Sequence, residues 1–132
     1  MTEVETKKIL AVLKAAYPSA YRDQGRDALI GILNLWTNQF ANVPYGVVNI
    51  AVNSLIKHSK FLPTVADVYQ EISQIQSLAN MNIMSALSIG EKPNQTDMYI
   101  YKALENVSID KTTHYLPSGQ KSQLGLESGR DV

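Results

Sequence analysis

A chain of 132 residues, 45% hydrophobic and 18% charged, suits one domain with a tail and carries enough apolar residues to bury a core. Its twelve basic and twelve acidic residues cancel, so global charge supplies no drive toward nucleic acid or an anionic membrane. The absence of cysteine excludes disulfides, thiolate metal sites and thiolate nucleophiles, and no apolar run approaches membrane-spanning length.

Met1 is not followed by a basic-then-apolar leader, which predicts a cytoplasmic chain. Charge is unevenly divided. Residues 1–65 carry seven bases against four acids, and residues 66–132 carry five against eight. Ordinary scatter over solvated faces accounts for this, and so would different partners for the two halves.

Thr2 and Glu5 have capping-box spacing and open a helix predicted to run from residue 3 to Tyr17. Ile9, Leu10, Leu13, Ala16 and Tyr17 share one face of it, and Pro18 ends it. Residues 19–26 read as a polar connection, with Asp23 or Asp27 available to cap a second helix. There Ala28, Leu29, Ile32, Leu33, Trp36 and Phe40 are spaced for one amphipathic face. Gly31 inside this helix costs about 1 kcal/mol relative to alanine, which suggests close approach of a neighbour.

The turn Asn42-Val43-Pro44 leads to a third helix with Val47, Val48, Ala51, Val52, Leu55 and Ile56 on its apolar face. The three-four spacing and the length of the run argue against a strand despite the β-branched content. Lys57, His58 and Lys60 complement the dipole at its end. In the turn at residues 61–64, Thr64 and Asp67 form a second capping box, with Leu62 or Pro63 as a staple. Val65, Val68, Tyr69, Ile72, Ile75 and Leu78 continue a helical stripe.

Residues 80–89 are weakly amphipathic, with Met81, Met84 and Leu87 aligned. They either extend the fourth helix or form a short one ending at Gly90. Residues 91–95 are rich in breakers, and Thr96 is expected to cap a helix over 96–107 carrying Met98, Tyr101, Leu104 and Val107. From Ser108 onward the chain is too polar to order itself.

The expectation is an all-α protein. A helical bundle of about four helices occupies residues 1–78. An extension follows over residues 79–132, helical at 96–107 and flexible beyond. Its predicted core is Leu13, Tyr17, Leu33, Trp36, Phe40, Val48, Val52, Leu55, Phe61 and Val68, because large apolar side chains at helical spacing build small bundles.

Catalytic chemistry is hard to place. His58 and His114 are far apart and lack metal-ligand spacing, and no glycine-rich phosphate loop is present. Asp23 and Asp27 could share a helix face, but without a histidine or third acid they read as solvated or capping groups. No enzyme activity, cofactor or metal is expected. Lys7, Lys8, Lys14, Arg22 and Arg26 lie near Tyr17 and Tyr21, as a nucleic-acid surface would require. Glu3, Glu5, Asp23 and Asp27 interrupt them, so direct nucleic-acid binding is the secondary reading.

Several stretches together carry a family likeness. They are the run from Ile9 to Pro18 (ILAVLKAAYP), Leu35-Trp36 with Phe40, Pro44-Tyr45 leading into Val48 and Ala51-Val52, then Ser59-Lys60-Phe61, Pro63-Thr64 and Ala66. Their order and spacing resemble the replicative-helicase loader/inhibitor proteins of bacteriophages of Gram-positive bacteria. The resemblance covers about residues 5–72. It implies a small helical N-terminal domain, a poorly ordered C-terminal region and a function without chemistry. The implied role is to bind a DnaB-type hexameric helicase, hold it inactive and deliver it to an origin-bound initiator.

In that family the C-terminal region is implicated in gripping the helicase. Met98, Tyr99, Tyr101, Leu104, Tyr115 and Leu116 are therefore the candidate partner-binding residues, with Met84 as a further adaptable apolar group. The alternative is that residues 96–107 form a fifth helix packed on the domain. Two competing functions remain at this stage: a small helical DNA-binding replication or transcription factor, and a phage inhibitor of some other host protein.

Overall fold

A computed structural model describes residues 1–107 and 109 of the chain. Among the described residues there are five α-helices and no strand: α1 (Glu3–Ala16), α2 (Arg26–Gln39), α3 (Tyr45–His58), α4 (Val65–Ser88) and α5 (Gln95–Leu104). The protein is all-α, as the periodicity predicts.

The helix starts follow from side-chain chemistry. The Thr2 and Thr64 hydroxyls accept from the amides of Glu5 and Asp67 at 3.2 and 3.1 Å. The two carboxylates accept in return from the cap amides at 2.8 and 2.9 Å. Each box satisfies donors that a helix start otherwise leaves open. α2 starts differently: Gly25 is its N-cap without a side-chain bond, and Asp27 lies in the first turn, where its charge favours the helix dipole. The connection before it is also more ordered than its polar sequence suggests. Pro18–Tyr21 forms a 3-10 turn that leaves Tyr21 only 8% exposed.

α3 is the central element. Val47, Val48, Ala51 and Val52 are fully buried, and α3 packs against both α1 and α4. Phe40 follows the last turn of α2 and is also fully buried. Its ring stacks on Tyr69 of α4 at 4.8 Å between centroids and meets Trp36 at 5.5 Å. The carbonyls of this turn are satisfied too: the Met1 ammonium donates to Phe40 O at 3.2 Å and Val43 O at 2.9 Å. Two tyrosine hydroxyls link the helices. Tyr17 donates to Ser59 O at 2.7 Å, and Tyr69 donates to Gln39 O. Burial pushes the Tyr21 and Tyr69 phenols above their ordinary pKa.

Leu13, Trp36, Val48, Val52, Leu55 and Val68 are buried, and Tyr17 is half-buried against the cluster. Phe61 corrects the expectation of a core residue, because its ring is 79% exposed. The Ser59 hydroxyl fixes this turn by donating to Phe61 O at 2.7 Å, and Pro63 and Leu62 take the inward positions instead. Leu33 is only half-buried and lies on the surface shared by α1 and α2. Gly31 has no close neighbour, contrary to the expectation, since a Cβ there would meet nothing within 4 Å.

α4 passes position 78 without interruption and ends at Gly90, whose φ of +77° suits glycine. The Glu91 amide donates to Ala86 O at 2.8 Å and the Gly90 amide to Leu87 O at 3.2 Å, the pair of bonds that closes a Schellman motif. Asn94, rather than Thr96, then caps α5: its Oδ1 accepts from the Thr96 and Asp97 amides at 2.7 and 3.3 Å. Ile100 and Leu104, four residues apart, turn inward and join the core. Tyr99 meets the start of α3, where a Cβ on Gly46 would lie 2.9 Å from its Cζ. The flexible segment expected after residue 107 lies, apart from Ile109, outside the described residues.

Two outcomes follow. Phe40→Ala should lower the free energy of unfolding by about 3–5 kcal/mol and Phe61→Ala by less than about 0.5 kcal/mol, as read from chemical denaturation. Gly46→Ala should displace Tyr99, so that the amides of α5 exchange hydrogen faster while those of α3 keep their protection; unchanged exchange in α5 would contradict the contact.

Candidate functional site

α4 changes character along its length because only its first half has a bundle to cover it. Val68, Ile72 and Ser73 are buried, but beyond Leu78 only Ala79 is. Leu78, Met81, Met84 and Leu87 stand exposed, as does Ile89 at the C-cap. The Schellman turn and the Asn94 cap fold α5 back onto this half. α5 presents Ile100 and Leu104 to the core, with Ala103 half-buried against it, and most of its other positions remain at the surface.

Between the two helices lies a groove of about 690 Å³. Ile83, Met84 and Leu87 line one wall, Met98 and Tyr101 the other, and Lys92 with Pro93 closes the end near the turn. Met84 is 70% exposed and Tyr101 45% exposed, so the walls are reachable from solvent. Thioether and aromatic side chains adapt to differently shaped apolar groups, and a concave apolar wall accepts a protruding side chain of a partner.

The candidate partner-binding residues separate accordingly. Met98 and Tyr101 come together in this groove with Met84. Tyr99 is 43% exposed but rests against Gly46, which gives it a structural contact within the fold. Leu104 corrects the expectation of a surface residue: it is 1% exposed, because its position four residues after Ile100 puts it on the inward face of α5. Tyr115 and Leu116 lie outside the described residues, as does His114. Sequence reasoning did not place Ile83 and Lys92 at the site. The signal for Ile83 was its i, i+1, i+4 relation to Met84 and Leu87 on one continuous helix; Lys92 had none.

Among the described residues, no group of three or more histidine, aspartate or glutamate side chains could hold a metal ion. His58 is exposed at the end of α3. No described helix is long and apolar enough to cross a membrane. What the groove offers is apolar binding surface.

Comparison with known families adds one finding. A family model for the N-terminal domain of a phage helicase loader/inhibitor protein (G39P_N) matches residues 1–69, just over half of the chain. No curated protein and no solved structure is similar enough to match. The matched stretch contains α1, α2, α3 and the first turn of α4, and so it holds the aromatic stack of Trp36, Phe40 and Tyr69. It ends before the α4–α5 groove. The chain belongs to the family of phage helicase loader/inhibitor proteins, which is not itself catalytic and whose partner is a helicase.

Proposed function

We infer that the protein is a phage DNA-replication adaptor acting in the cytoplasm of the bacterial host. It binds a DnaB-type hexameric helicase, holds it inactive and delivers it to an origin-bound initiator. Family membership over residues 1–69 carries this reading. Met98 and Tyr101, with Met84 and Leu87 across the groove, form the helicase contact, and Tyr115 and Leu116, outside the described residues, are its further candidate residues.

The physical case rests on what such a task demands. A loader must bind firmly enough to hold its cargo and still let it go. Apolar contacts made by flexible thioethers and a few aromatic rings meet both needs, since they bury area without committing to buried charge pairs. The groove supplies those side chains on two helices braced by the bundle, so most of the ordering cost is met before binding.

The test is capture of the cognate helicase by the full-length protein and by its variants. Met84→Glu and Tyr101→Glu should each weaken binding by about tenfold or more, because a carboxylate would be buried without a partner. Val4→Glu, on the exposed side of α1, should bind as the parent does. Full binding by the folded double variant would remove the groove from the contact. Failure of the parent protein to bind would remove the adaptor function itself.

A further inference from the structure

A second groove lies between α1 and α2, inside the family-matched stretch, and it shares no helix with the first. Its volume is about 480 Å³. Leu10, Ala11, Leu29, Ile30 and Leu33 give it an aliphatic floor, and the cations Lys7, Lys14 and Arg26 stand around it. No carboxylate lines it. Among the described residues the one ion pair is Lys7 with Glu3 at 3.7 Å, between two exposed side chains, so Lys14 and Arg26 have no acidic partner there. Ile30 is 42% exposed although it sits in a helix that has a core to join.

We propose that this groove is a docking site for an acidic amphipathic helix of a partner protein, distinct from the helicase contact. The floor matches the apolar stripe of such a helix in chemistry, since leucine-like side chains at i, i+3 and i+4 pack into an aliphatic trough. Carboxylates flanking the stripe would meet Lys14 and Arg26 at the rim, where opposite charges steer the encounter and fix its direction. A nucleic-acid strand fits less well. Stacking requires an exposed aromatic face, and the aromatic side chain here, Tyr21, is only 8% exposed.

The experiment titrates isotope-labelled full-length protein with a helical glutamate/leucine peptide of about 15 residues and with its lysine/leucine counterpart. Amide shifts should move at Leu10, Ile30 and Leu33 with the acidic peptide alone, and rising salt should weaken the effect. Lys14→Glu with Arg26→Glu should weaken binding by about tenfold or more, both positions being exposed. Ile30→Glu should do the same through the floor. Three results would overturn the proposal: no shift at these residues, the same shifts from a DNA oligonucleotide in place of the peptide, or the same shifts on removing residues 110–132, which would give the groove to the chain's own C-terminal segment. None of these outcomes depends on whether the helicase binds at α4 and α5.

Discussion

Phe40 is the constraint from which the rest of the bundle is set. It sits past the last turn of α2 with no exposure, between the rings of Trp36 and Tyr69. A buried aromatic at a helix end does more than fill volume. It fixes where α2 stops, how the chain turns through Val43 and Pro44, and how closely α4 approaches, because Tyr69 must lie flat against it. The carbonyls at the same turn receive the Met1 ammonium, which brings the start of α1 to the end of α2. With those pieces placed, α3 has one position left, and its four fully buried residues show that it occupies the middle.

That arrangement leaves α4 longer than the bundle needs. The 24-residue helix extends beyond the residues that cover it, and the chain must turn back for α5 to reach the core. Gly90 and Asn94 make the return, and Ile100 and Leu104 hold it in place. The apolar groove follows from this geometry. Two helices joined at one end and anchored at the other leave methionine, leucine and tyrosine side chains facing each other with space between. The part of the fold that the bundle does not bury is thus an exposed apolar surface.

The bundle was largely legible because helical periodicity and capping boxes are local signals, and the residues that carry them, such as Thr2 with Glu5 and Thr64 with Asp67, act within one turn. Phe61 was not legible. An aromatic two residues before a proline looks like core, but which of two adjacent apolar residues faces inward depends on a turn held by the Ser59 hydroxyl, a contact outside any repeat. Tyr21 failed in the opposite sense, hidden in a polar stretch by a 3-10 turn. At the candidate site the residue types were readable and their division was not. Met98 and Tyr101 face the groove while Leu104 is buried, because Ile100 and Leu104, four residues apart, form the face of α5 that packs on the core, a tertiary choice that residue types do not show.

In the proposed function, the protein meets its helicase through the groove between α4 and α5. Hydrogen exchange of the full-length protein, free and mixed with the hexameric helicase, tests this most directly. Exchange in the complex should slow across the second half of α4 and through α5, with α3 unchanged. Slowed exchange confined to α1 and α2, with α4 and α5 exchanging as in the free protein, would contradict it.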